Sequence, residues 1–457
     1  MTSTVYRGTV FETPERDKLT VIPNALVVVD CQGVITSVLH PVHDVAEYQR
    51  VLDTASKTGT LVELPKGQYL LPGMVDLHVH APQWPQLGKA LDRSLETWLQ
   101  HYTFPLEAKY ADLEFAEKSY SSLVSALLAN GTTTVAYYAT VHLDASVLLA
   151  KICLNKGQRA VIGRVSMDLP SQCPSFYRDQ SPQESVELSE KFVQEVLALP
   201  NNESKLVLPA VIPRFIPTSS DEALRGLGKL AAKYGCHVQT HCSESDWEHN
   251  HVLERYKKHD TFALDDFGLL TRRTVLAHCN MMSDEDMHLV KQRGSAVAHC
   301  PLSNLYFSNA VFPARKALDL GLHVGLGTDI SGGPSASLLD VCRYALSSAR
   351  ALESGVDPSL PYSERSRVRP ARISHIEAFY LATVKGGEAL DLKVGRIAPG
   401  FLFDAFVIDT TVHGSGVFVF DELDSSEDVF EKIIYNANAI NVVKTFVGGR
   451  LVHKSPP

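Results

Sequence analysis

The chain has no CxxC pair, no apolar run near the length of a bilayer span and no block of basic residues. Each absence removes a class. Eight cysteines scattered over 457 residues are neither a disulfide framework nor a zinc-ribbon pattern, and they fit a reducing compartment. Without an apolar stretch of roughly 20 residues, no transmembrane helix is expected. The 43 Lys+Arg against 52 Asp+Glu leave a net charge of −9, which is poorly matched to nucleic acid or an anionic membrane. The one basic cluster, ERSRVRPAR (364–372), reads as a solvated loop. The first residues, MTSTVYRGTVFETPERDK, lack the apolar core of a signal peptide, and HKSPP is no sorting signal, so a cytoplasmic protein is expected. HExxH, GxSxG, GxxxxGK[ST] and the HxE…PCxxC pattern of cytidine deaminases are also missing. With 45% hydrophobic and 21% charged residues the chain is globular. Its unusual holding is 18 histidines.

Residues 1–71 read as short β segments, broken by a helical stretch near Val45 to Asp53 and by the turn Cys31-Gln32-Gly33. From there strand-like runs alternate with amphipathic helical stretches. Eight strand candidates follow: 73–80, 132–140, 159–168, 206–215, 237–241, 274–278, 295–299 and 323–329. Among the helices, EFAEKSYSSLVSALLANG carries Leu123, Leu127 and Leu128 on one stripe, with Gly131 as its stop. Ser283 and Asp286 have the spacing of an N-terminal cap. Eight βα units over about 255 residues match a (β/α)₈ barrel. The tail from Val394 returns to β character. The fold expected is therefore α/β, a TIM barrel over 72–393 with a small β-sandwich domain made from 1–71 and 394–457.

The first barrel strand, GMVDLHVH, alternates strictly, with Asp76, His78 and His80 on one face and Val75, Leu77 and Val79 on the other. The apolar face belongs against the helices, so the imidazoles enter the bore at the C-terminal end, where barrel enzymes place their chemistry. The pattern recurs. The fifth strand ends in His241, the sixth in His278 and the eighth in Asp329. Histidines and a carboxylate converging on one rim form an N/O metal site with an open position. The expected ligands are His78, His80, His241 and Asp329. The fourth strand, LVLPAVIPRF, has no lysine to bridge two metals, which favours one ion. Zinc is the expected ion, and ferrous iron the other that suits these donors. By contrast, His249 and His251 lie two apart on a helical stretch and share no face, so they read as solvated. Gly325 and Gly327 read as packing room rather than as a phosphate loop.

A metal with an open position acidifies water toward neutral pH. Asp329 can take that water's proton, and His278 can hold it in line if it is not itself a ligand. Glu244, three residues past His241, brings a second acid over the opening. A second acid suits addition of water to a C=N bond, because the ring nitrogen collects a proton as charge develops. Helix capping is the alternative use of Glu244.

At these residues the chain resembles the amidohydrolase superfamily, through LPGMVDLHVH, HCSES, LAHC, LGTD and GRIAPGFLFDAFVID, over Leu71 to Asp409. Within it, HAPQW (80–84), IPRF (212–215) and HCPLSNLYFSNAVFPARKALDLGLHVGLGTDISGGPS (299–335) are similar to the guanine deaminase family. The family usually has Tyr after HAPQ, and this chain has Trp84. The resemblance implies hydrolysis of guanine to xanthine and ammonia in purine catabolism, with one Zn²⁺ per chain on His78, His80, His241 and Asp329. Glu244 would pass a proton to N3, Asp329 would activate water for attack at C2, and His278 would orient it. Gln83, Trp84, Arg214 and Phe215 would recognise the base, beside Glu244, His278 and Asp329. A homodimer is implied by analogy. Another nitrogen heterocycle as substrate, or a non-catalytic scaffold, would be the alternatives.

Overall fold

The computed structural model describes residues 3–456. Five strands precede the barrel: β1 (Thr4–Glu15), β2 (Lys18–Val29), β3 (Ile35–Leu39), β4 (Leu61–Glu63) and β5 (Gln68–Pro72). The barrel strands are β6 (Met74–His80), β7 (Thr132–Tyr138), β8 (Arg159–Ser166), β9 (Val207–Pro213), β10 (His237–Cys242), β11 (Thr274–His278), β12 (Ala296–His299) and β13 (His323–Leu326). Three more close the chain: β14 (Ala405–Asp409), β15 (Val442–Val447) and β16 (Arg450–Lys454).

Strands β6 to β13 pair in parallel and in sequence order, with helices between them. The ends of this sheet meet through particular groups. Thr328 donates its N–H and hydroxyl to the two Asp76 carboxyl oxygens at 3.0 and 2.6 Å. Asp329 N–H donates to His78 O at 2.8 Å and His80 N–H to Ile330 O at 3.0 Å. Asp76, the third inward residue of the alternating first strand, thus draws the eighth strand against it. The helix read around Leu123 runs Leu113–Ala129, and Leu123, Leu127 and Leu128 are buried. Ser283 and Asp286 form a reciprocal capping box at the helix Asp284–Arg293.

Strands from both ends of the chain join in one mixed sheet, ordered β16-β15-β14-β5-β1-β2-β3, with β4 on β1. The sheet curls back on itself. Ile35 N–H donates to Phe401 O and Phe403 N–H to Gly33 O, which brings β3 to the segment just ahead of β14. Period-two alternation gives it two apolar faces. Tyr6, Val10, Ala405, Val407 and Phe446 fill the interior of the curl. Phe11, Phe406 and Ile408 instead join the core that continues into the barrel.

Candidate active site

His78 and His80 project from β6, His241 from β10, His278 from the end of β11, and Asp329 just beyond β13; all are buried. His278 has φ 72° and Asp329 φ 48°, as do Ser243 (49°) and Cys279 (59°) in the same left-handed region. Such conformations cost about 1–3 kcal/mol each for non-glycine residues and gather at functional sites. Here they turn the strand ends over the bore. Gly327 is small because a Cβ would stand 2.8 Å from His78 Cβ and 2.9 Å from Cys300 Sγ. Gly325 gives room on the outer face, where a Cβ would meet Leu77 Cδ1 at 2.5 Å.

The rim nitrogens and oxygens are spaced as metal-ligand atoms. His80 Nε2 is 3.0 Å from His241 Nε2, and Asp329 Oδ1 is 3.2 Å from His78 Nε2 and 3.6 Å from His80 Nε2. Tetrahedral ligands at the usual zinc distances stand about 3.3 Å apart. His78 Nε2 and His278 Nε2 are buried without a hydrogen-bond partner. The clusters His78–His241–His278, His78–His80–Asp329 and Glu244–His278–Asp329 each hold their ligand atoms within 4.8 Å of one another. Burial pushes His78, His80 and His241 well below the usual imidazole range, which leaves them neutral, the form that binds metal. His241 Nδ1 donates to Arg214 O at 2.6 Å, fixing Nε2 as its free lone pair. The residues present, neutral imidazoles and a carboxylate, therefore fit a metal ion.

Glu244 lies over this cluster, its Oε1 3.7 Å from His278 Nε2. Burial, and then the Asp329 carboxylate, pushes it well above the ordinary carboxylate range. His278 Nδ1 meets Asn304 Oδ1 at 2.9 Å, so its Nε2 faces Glu244 and Asp329. Asn304 was not singled out in the sequence, although it lies inside the block 299–335.

A cavity opens above these groups, lined by His80, Gln83, Arg214, Phe215, Glu244 and Asp329 together with Leu95, Trp98, Leu99 and Phe307. Gln83, Arg214 and Phe215, expected to recognise the base, thus line this cavity. Trp84 is a correction. After His80 the chain enters a 3₁₀ turn, Ala81–Gln86, whose period of three places His80, Gln83 and Gln86 inward. Trp84 is rotated away; its indole N–H donates to Ser122 Oγ at 3.1 Å and its ring packs against the neighbouring core. The aromatic walls are Phe215, Trp98 and Phe307, the last two with ring centroids 5.0 Å apart. His249 also differs from its solvated reading: its Nδ1 is 3.3 Å from Ser243 Oγ and 3.3 Å from Asp260 Oδ2.

Glu107 carried no signal in the sequence. It is fully buried and accepts from Arg214 NH1 at 2.7 Å, Arg214 NH2 at 3.1 Å and Gln83 Nε2 at 3.0 Å.

The chain matches the amidohydrolase family over residues 69–452. Guanine deaminase of Dictyostelium discoideum is 36% identical to it, over 98% of this chain and 98% of that protein. Guanine deaminase of Homo sapiens is also 36% identical, over 85% of this chain and 84% of that one. The crystal structure of guanine deaminase from C. acetobutylicum, with guanine bound in its active site, superposes with a TM-score of 0.86 at 33% identity, covering 99% of this chain and 100% of that chain. With family match, full-length relatives and barrel-rim site in agreement, the chain belongs to the amidohydrolase family.

Proposed function

We propose that this chain is a metal-dependent aminohydrolase that converts guanine and water to xanthine and ammonia. The observation that carries the reading is the near full-length similarity to guanine deaminases. The site is its chemical support: a cluster of metal-ligand type beside a flat apolar slot with N–H donors on one wall.

His78, His80, His241 and Asp329 would hold one ion, zinc by preference for its N/O donors and ferrous iron second. When bound, the ion supplies Lewis acidity and brings the pKa of water at the site toward neutrality. The chain's own residues do the rest. Arg214 and Gln83 hold the purine carbonyl, and Phe215 covers a ring face. His278 Nε2 aligns the attacking water. Asp329 takes one of its protons as oxygen bonds to C2, while Glu244 gives a proton to N3. The proton on Asp329 then passes to the amino group, which leaves as ammonia with the C–N electron pair. The hydroxyl proton of the adduct returns to Glu244, leaving the C2 carbonyl of xanthine.

The reading extends to a homodimer working in the cytoplasm, in purine breakdown, by analogy with its family. Among the described residues no helix is long and apolar enough to cross a membrane. The deciding experiment is ammonia release from a panel of purines by purified, metal-loaded protein. Guanine should be turned over with xanthine as product and adenine poorly; rapid turnover of another heterocycle with none of guanine would overturn the reading.

A further inference from the structure

We propose that Glu107 is a specificity-determining positioning residue: it makes the far wall of the pocket an all-donor surface and so selects a carbonyl over an amino group on the purine. This rests on the guanine reading above and concerns how the same site chooses its substrate.

The argument begins with Gln83. A side-chain amide can present either its oxygen or its nitrogen to a ligand, and only its partners decide which. Here Gln83 Oε1 accepts from Ser331 N–H at 3.0 Å, and Gln83 Nε2 donates to Glu107 Oε1 at 3.0 Å. A backbone N–H can only donate, and Glu107 meets nothing but donors. Rotating the amide by half a turn would break both bonds and set like against like on each side. The second N–H of Gln83 is thereby the group left for the cavity that Gln83 lines.

Arg214 is held by the same carboxyl group. Its NH1 and NH2 donate to the two Glu107 oxygens at 2.7 and 3.1 Å, and its guanidinium carbon lies 5.1 Å from the centre of the Phe104 ring. A guanidinium has five N–H bonds, and these contacts use two. Arg214 also lines the cavity, so its remaining donors stand beside the Gln83 N–H. One buried acid therefore fixes both recognition residues, touching neither the cavity nor the rim ligands. A carbonyl facing this wall satisfies it. An amino group leaves buried donors opposed by donors, a mismatch that can cost several orders of magnitude in kcat/KM.

The test compares guanine with 2,6-diaminopurine, which carries an amino group in place of the carbonyl and, with it, an unprotonated N1. Guanine turnover by the unaltered chain is measured first; its absence fails the substrate reading before Glu107 is at issue. In Glu107→Gln the acceptor becomes an amide that can turn, and the wall loses its fixed polarity. The ratio of kcat/KM for guanine over 2,6-diaminopurine should fall by about tenfold or more, carried by KM for guanine, with metal content unchanged. Glu107→Asp keeps the carboxylate but withdraws it by one methylene; it should lower the ratio by less, and it serves if the Gln variant does not fold. An unchanged ratio in either folded variant, or a loss confined to kcat or thermal stability, would overturn the proposal.

Discussion

His80 Nε2 and His241 Nε2 face each other at 3.0 Å inside a buried cluster, on strands β6 and β10 that are not neighbours in the barrel sheet. His241 Nε2 carries a lone pair, because its Nδ1 donates to Arg214 O, and a bound ion would draw on that lone pair together with His80 Nε2 and Asp329. Extensive chelation should therefore abolish turnover and lower the thermal midpoint, and adding Zn²⁺ back should restore both. Ligand binding at 1,000 times Kd is worth about 4 kcal/mol, so the shift should be plain in a melting experiment. Elemental analysis should find one equivalent per chain; two would contradict the single-ion reading.

Glu244 lies at the edge of that cluster, its carboxyl within 4.8 Å of ligand atoms of His278 and Asp329, and outside the four expected ligands. Glu244→Gln preserves shape and removes the proton donor. Turnover of guanine should fall by about 10²- to 10⁴-fold while metal content stays at the wild-type value. Loss of metal in this variant would make Glu244 a ligand instead of an acid.

Asn304 acts at one remove. Its Oδ1 holds His278 Nδ1 at 2.9 Å, and that bond decides which imidazole nitrogen looks into the site. Asn304→Leu should lower kcat by about 10- to 100-fold, the usual cost of losing such an outer partner, with KM altered less. Measuring kcat and KM separately distinguishes this from a binding defect.

The parts of this site differ in how legible they are in the sequence. His78 and His80 are readable because a strand alternates with period two, and His241, His278 and Asp329 because each ends a strand run. The left-handed backbone at His278 and Asp329 is not readable, since neither is a glycine and only the closed barrel holds them so. Glu107 is hidden for another reason. It lies in a run of short pieces, Leu95–Trp98, Leu99–Thr103, Phe104–Glu107 and Ala108–Ala111, that keeps no single period, and its partner Arg214 is 107 residues away. Asn304 lies within a quoted block, yet nothing local says that its oxygen faces a histidine on β11.

Trp84 directly follows Gln83, yet the 3₁₀ turn rotates its side chain out of the site. As an aromatic wall it would be costly to alter; as a residue bonded to Ser122 it is not. Trp84→Phe should leave KM for guanine within about twofold of wild type, while losing on the order of 1 kcal/mol of stability with the indole hydrogen bond. Phe215→Ala should raise KM about tenfold, because its ring does line the cavity. Steady-state kinetics on the pair separates the two aromatics.

Asp404 and Arg159 tie the curled sheet to the base of the barrel. Asp404, just before β14, accepts from Arg159 Nε at 2.9 Å and NH2 at 3.1 Å, and from Gly448 N–H at 2.7 Å. Both side chains are buried, so removing one partner leaves the other's charge or donor stranded where water cannot replace it. Asp404→Ala should destabilise the folded chain by about 3–5 kcal/mol, read as a lower urea midpoint. The pair lies on the N-terminal side of β8, away from the strand ends that carry the chemistry. At temperatures where the variant stays folded, its kcat/KM for guanine should therefore match wild type, and a matched loss of activity and stability would show that the β domain shapes the rim after all.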